Sequence, residues 1–167
     1  ELENAGYEFE GADASLELLM RRHIEGYAPF FELHGFRASV ENRDGAAGPV
    51  SEATIKVALA DGGMMHTAAE GRGPVDALNN ALRKALEPSY PELVSVHLED
   101  YKVRILDGHA ETSAQTRVLI ESSDETTSWN TVGVSENIIT ASYLALVDSI
   151  EYKLLKSRAG KAAAAGV

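Results

Sequence analysis

The sequence predicts an α+β fold: two tandem βββα units packed by internal pseudo-two-fold symmetry, preceded by a short linker helix. Three observations predict it. The spacing of apolar residues is helical up to Gly26 and alternates with period two from Pro29 onward. A strand–strand–strand–helix order then occurs twice, with Phe31 and Val94, and Pro74 and Glu136, each about 62 positions apart. Each copy closes on an amphipathic helix, which gives each sheet one face to bury.

The elements follow in order. In "ADASLELLMRRHIEG", Leu16, Leu19, Met20, His23 and Ile24 share one helical face and Gly26 is a stop signal. Strands follow at "FFELHGFRASV" and "SEATIKVALADGG", joined by the turn-forming "ENRDGAAGP". "GGMMHTAAEG" is a third strand, entered through the turn Asp61-Gly62-Gly63. The first unit's helix carries Leu78, Ala81, Leu82, Ala85 and Leu86 on one face, with Pro88 beyond its end. In the second unit the strands are "ELVSVHLEDYKVRILDG", "ETSAQTRVLIESS" and "TTSWNTVGVS". A long helix then carries Ile139, Tyr143, Leu146, Val147, Ile150 and Leu154 on one stripe. The domain layout is therefore a helical lead-in over 1–28, units over about 29–91 and 92–156, and a disordered tail over 157–167. One feature breaks the pattern. Val94, Val96 and Leu98 share one parity, and Tyr101, Val103 and Ile105 share the other, which places a bulge near Glu99-Asp100.

Composition narrows the function. The chain is 44% hydrophobic and 25% charged, as expected of a soluble globular protein, and no apolar run suggests a membrane span. Its first residue is Glu1, which predicts a module of a longer chain. A net charge of −11 with dispersed Lys and Arg argues against nucleic acid as a partner. With no Cys there are no disulfides, thiolate metal sites or cysteine nucleophiles, which fits a cytoplasmic protein.

The motif with most chemical interest is Gly71-Arg72-Gly73-Pro74-Val75-Asp76 at the head of a helix. It is not a dinucleotide turn, because Asp76 stands where the third Gly belongs, and it lacks the Gly-Lys-Ser/Thr ending of a P-loop. Two readings remain. Pro74 at the first helical position and Asp76 in the first turn serve the helix itself. Alternatively, the remaining amides hold a carboxylate while Asp76 takes an ammonium group. His23, His34, His66, His97 and His109 lack metal-ligand spacing. "GVSEN" has Asn137 where a nucleophile elbow needs Gly, so Ser135 reads as a helix N-cap. The tyrosines and Trp129 read as packing residues, and no catalytic constellation is found.

"GRGPVDALNNAL" and "WNTVGVSENIITASYLALVDSIEYKL" resemble the C-terminal regulatory domain of the 2-isopropylmalate, citramalate and homocitrate synthase group. The lead-in "GYEFEGADASLELLMRR" resembles the segment joining that domain to its barrel, and with "SENIITASYLALVDSIEYKL" it points toward the citramalate synthase branch. The resemblance implies a homodimerising domain with no cofactor and no catalytic residues of its own. It implies a separate catalytic barrel that uses a divalent metal and acetyl-CoA. It also implies a bound end product, isoleucine ahead of leucine, that feedback-inhibits the barrel. By position it assigns effector contacts to Val75, Asp76, Leu98, Tyr101, Ile105, Thr112, Ala114, Glu136 and Ile138.

Overall fold

The computed structural model describes residues 6–42, 48–106 and 114–165. The element order is α1 (Asp13–Arg22), β1 (Phe31–Glu41), β2 (Val50–Leu59), β3 (Met64–Gly71), α2 (Pro74–Leu86), a 3-10 turn (Pro91–Ser95), β4 (His97–Ile105), β5 (Thr116–Ser123), β6 (Ser128–Ser135) and α3 (Ile138–Ala165). The strands form two antiparallel meanders, β1-β2-β3 and β4-β5-β6, each followed by its helix. Two compact units result: residues 28–91, and residues 92–167 together with 1–27. Among the described residues no helix is long and apolar enough to cross a membrane.

In the unit 28–91, β2 alternates strictly: Ala53, Ile55, Val57 and Leu59 are buried toward α2, while Glu52 and Lys56 are exposed. α2 buries the whole predicted stripe, Leu78, Ala81, Leu82, Ala85 and Leu86. The Asp61-Gly62-Gly63 turn forms as expected. Gly62 adopts a φ of 87°, which favours glycine, and the Gly63 amide donates to Asp61 Oδ1 at 2.8 Å.

The other unit repeats this plan and adds a layer. Val118, Ile120 and Ser122 of β5 face α3. Val132 and Val134 of β6 face the opposite way, onto Ala12, Tyr7 and Phe9. In both units the third strand is tied to the helix by the same bond. Thr67 Oγ1 donates to the Ala81 carbonyl at 2.7 Å, and Thr131 Oγ1 to the Ala145 carbonyl at 2.8 Å. The repeat is thus 64 positions long at these contacts, slightly more than the strand patterns suggest.

Four sequence expectations are corrected. The first strand expected from residue 92 is preceded by a 3-10 turn, Pro91–Ser95, anchored by buried Leu93 with Val94 exposed, so β4 begins only at His97. α1 buries Ala14, Ser15 and Leu18, whereas Leu16 and Met20 of the expected face, and Ile24 beyond the helix end, are exposed. Its small residues let it lie close to the sheet, and that outweighs the bulkier stripe. The N-cap of α3 is Asn137, whose Oδ1 accepts from the Ile139 and Thr140 amides at 2.8 and 3.1 Å. Ser135 sits two residues too early and accepts only from Asn137 N. Finally, the stretch expected to be a disordered tail is helical as far as Ala165, which suits its run of alanines.

Gly133 is where α3 comes closest to its sheet, since a Cβ there would lie 2.1 Å from the Ala141 carbonyl oxygen. Gly133→Ala is expected to lower stability by at least about 1–3 kcal/mol, read as a lower urea midpoint. In the β5–β6 turn, Asp124 accepts from Lys153 Nζ and from the Thr126 and Thr127 amides. The Lys153 ammonium, followed by those amides, holds the Asp124 carboxyl well below its ordinary 3.8. A depressed carboxylate contributes stability that is fully present above that ordinary value and fades as pH falls below it. Asp124→Asn should therefore flatten the acid limb of the unfolding profile below about pH 4.

Candidate functional site

β4 is an edge strand, and its inferred bulge is present: Leu98 pairs with Ser122 and Asp100 with Glu121, leaving Glu99 as the extra residue. The bulge restores parity, so that Leu98, Tyr101, Val103 and Ile105 all lie on the α3 side of the sheet. α3 lies over β6 and β5 and scarcely reaches β4. The result is an uncovered apolar strip, with Leu98 39%, Val103 42% and Ile105 66% exposed. β1 carries a second bulge, at His34, that the sequence pattern did not reveal.

Tyr101 anchors this strip. Its hydroxyl meets Ser142 Oγ at 2.8 Å, and Ser142 Oγ donates to the Ile138 carbonyl at 2.6 Å. With the serine proton committed to Ile138, the Tyr101 O–H is the donor in the first bond. The chain of bonds joins β4 to the first turn of α3, where Ile138 is 42% exposed. Leu98, Tyr101, Ile105 and Ile138, four of the expected effector contacts, therefore belong to one apolar strip and its flank. Glu136 is exposed two residues ahead of α3, and Ala114 is half-buried just before β5. Thr112 and His109 lie outside the described residues, as does the middle of the "ENRDGAAGP" loop. Val75 and Asp76 belong to the unit 28–91.

The Gly71-Arg72-Gly73-Pro74 turn is explained by the helix it starts. A Cβ at Gly71 would stand 2.3 Å from the Ala77 backbone nitrogen, so glycine is required for β3 and α2 to meet. Gly73, the N-cap residue, has an extended φ of −157° and open space around it, so nothing there demands glycine. Asp76 Oδ2 accepts from the Arg72 amide at 2.9 Å, folding the turn back onto the first helical turn as a capping carboxylate does. The Arg72 amide is thereby spent on Asp76, and the Ala77 amide donates to the Gly73 carbonyl at 2.9 Å.

Sequence reasoning missed Ser142, which is fully buried, and an ionic cluster beside α1. Arg22 Nη2 reaches Asp148 Oδ1 at 2.8 Å and also pairs with Glu151. Ser15 Oγ donates to Asp148 Oδ2 and Tyr27 O–H to Glu151 Oε1, each at 2.6 Å. Burial, offset only in part by Arg22 and Ser15, raises the Asp148 carboxyl above its ordinary value. Burial also works against the Arg22 charge, but Asp148 and Glu151 more than compensate and hold it protonated. The available signal was a pair of acids three positions apart on the apolar stripe of α3. Among the described residues no group of three or more His, Asp or Glu is placed to hold a metal ion.

Two tandem βββα units, one of them with an open apolar edge strand, define a small α+β module. The chain matches the LeuA allosteric (dimerisation) domain over residues 10–154, and it belongs to that family. It is 58% identical to the (R)-citramalate synthase of Geobacter sulfurreducens over 94% of this chain and 30% of that protein. To the (R)-citramalate synthase of Aquifex aeolicus it is 52% identical over 93% of this chain and 29% of that protein. The 2-isopropylmalate synthase of Listeria welshimeri is 24% identical over 58% of this chain and 17% of that protein. The chain thus spans less than a third of the length of these relatives.

Asp76→Ala should cost about 0.5–1 kcal/mol, the lower part of the range for a lost helix-capping acceptor, because the site is exposed. Asp76→Asn keeps an acceptor oxygen and should recover most of that loss in chemical denaturation.

Proposed function

We propose that this chain is the regulatory domain of a citramalate synthase-like acyltransferase, binding isoleucine and transmitting feedback inhibition to the catalytic part of the full-length protein. On this reading the parent enzyme condenses acetyl-CoA with pyruvate on a metal-dependent barrel in the cytoplasm, and the domain holds two subunits together. The observation that carries the reading is the apolar strip of β4, re-aimed by the Glu99 bulge and left bare by α3. Covering three or four side-chain carbons of a branched amino acid is worth about 2 to 3 kcal/mol at roughly 0.8 kcal/mol per carbon. Tyr101 spends its hydroxyl on Ser142, so what it offers a ligand is its ring, which suits a hydrocarbon side chain. The remaining contacts proposed are Val75, Asp76, Thr112, Ala114, Glu136 and Ile138. The preference for isoleucine over leucine rests on the names of the more similar relatives.

A second reading has one observation in its favour: Asp76 is already engaged by the Arg72 amide. It is a dimerisation module without a working effector site. Thermal unfolding with isoleucine, leucine or valine separates the readings. At a hundred times its dissociation constant a ligand adds about 2.7 kcal/mol of stability. A selective isoleucine response, lost in Ile105→Asp and in Asp76→Asn, is expected. A leucine response would move the parent enzyme to 2-isopropylmalate synthase, and a flat response from a folded dimer would favour the second reading.

A further inference from the structure

We propose that the outer face of the sheet β1-β2-β3, the side turned away from α2, carries an anion site that takes the phosphoryl group of a small phosphate ester or of pyrophosphate. The site is an open notch of about 380 Å3, bordered by Gly35, Arg37, Thr54, Lys56 and His66. That volume falls within the range of about 300–1,000 Å3 occupied by small-molecule sites. The notch lies wholly in the unit 28–91 and is independent of the β4 strip.

Strand register brings these residues together. Gly35 pairs with Lys56 and Lys56 with His66, one row across all three strands, and Arg37 stands opposite Thr54 in the next outward row. They project from the face opposite buried Ile55 and Val57. Direct and diagonal cross-strand neighbours lie within about 5 Å and 7–8 Å of each other, so the long Arg37 and Lys56 side chains and the His66 ring can reach one bound group. Among the described residues the side chains of Arg37, Lys56 and His66 have no hydrogen-bond or ion-pair partner. Glu52 and Glu70 face each other one outward row beyond Arg37, and Glu32 lies on the other side of Gly35. In a chain of net charge −11 an anion meets general repulsion, and only a local group of unspent donors overcomes it.

The fold itself asks for neither the glycine nor the basic side chains. A Cβ at Gly35 would meet nothing within 4 Å, and its φ is not in the left-handed region, so what glycine provides there is an open floor beside Lys56. The second unit is an internal control. Its bulge at Glu99 corresponds to the His34 bulge, but the row that follows reads Asp100–Glu121–Asn130 in place of Gly35–Lys56–His66. Lys102, which stands where Arg37 does, is paired with Asp100 at 2.7 Å. The same sheet therefore forms with the opposite charge in that row. Donors from three strands around one open floor match a phosphoryl group, which offers three acceptor oxygens and about two negative charges. A carboxylate offers two oxygens in one plane.

Amide NMR of this chain, titrated with pyrophosphate at fixed ionic strength, tests the site. The amides of Gly35, Lys56 and His66 should shift together and saturate with one dissociation constant. Lys56→Gln and Arg37→Gln should each weaken binding at least about tenfold, having lost one charge-assisted bond. Gly35→Val has open space for its side chain and suits a strand, so it should abolish the shifts in a chain that still folds; the two Gln variants carry the test if it does not. Arg104→Gln, which removes an exposed cation from β4, should leave the affinity unchanged, and malonate, a dianion without a tetrahedral head, should bind more weakly. The proposal is overturned if these amides show no saturable shift, or if the response survives Lys56→Gln or a folded Gly35→Val. An equal loss in Arg104→Gln, or malonate binding as tightly as pyrophosphate, would also overturn it. So would shifts of the same amides on raising the chain concentration without any anion, which would give the face to a second copy.

Discussion

A single α-helix is too narrow to cover three strands. With side chains it is about 10–12 Å across, while strands spaced about 4.8 Å apart make a three-stranded sheet wider than that. Each βββα unit must therefore choose which strands to seal. Here α3 is drawn onto β6 and β5 by small residues, Ala141, Ser142, Ala145 and Ser149, by Gly133, and by the buried bond from Thr131 to the Ala145 carbonyl. The same threonine bond positions α2. What is left over is the face of β4, and every distinctive property of that strand follows from this: the exposed Leu98, Val103 and Ile105, and the bulge that aligns them. An apolar strip that the helix of its own unit leaves open is a surface suited to association.

The features legible in the sequence are those with a period. Alternation in β2 and the α2 stripe run the length of their elements, and both are recovered residue by residue. The parity change between Leu98 and Tyr101 is the same kind of signal, a period interrupted by one residue, and it located the bulge correctly. Close approach was not legible. Small residues carry little hydrophobic weight, so the side on which α1 packs, through Ala14 and Ser15, stayed hidden behind Leu16 and Met20. For the same reason Ser142, fully buried and central to the Tyr101 linkage, looked like any polar residue on a helix. The Val94–Val96 segment misled in the opposite direction. It has strand-like spacing, but Leu93 is the residue the core takes, and a 3-10 turn delivers it.

The two units differ most in what lies behind the sheet. Residues 28–91 leave Glu52, Lys56 and His66 exposed on that side, whereas β6 is covered by α1 and the segment before it. Bringing α1 there places Arg22 between Asp148 and Glu151, a cluster holding one positive and two negative charges. Such a cluster is weak evidence of stability, because desolvation offsets most of the attraction. Its consequence is geometric. Ser15 and Arg22 of α1 each have a specific partner on α3, and Tyr27 beyond the helix end has a third, which together fix how α1 seats.

The position of the β4 strip also constrains how a ligand there could act at a distance. A ligand shifts an equilibrium only by binding one arrangement better than another. Filling a closed pocket inside one unit would stabilise the fold without favouring any assembly. If the β4 strip is also the surface that a second copy covers, a ligand there changes that surface, and its binding and the association of subunits share a free energy. The Tyr101–Ser142–Ile138 bonds extend that effect to the start of α3, since any displacement of β4 by a ligand pulls on the first turn of the helix. Coupling of this kind needs no catalytic group and no cofactor in the domain, only an incomplete surface with a rigid connection behind it.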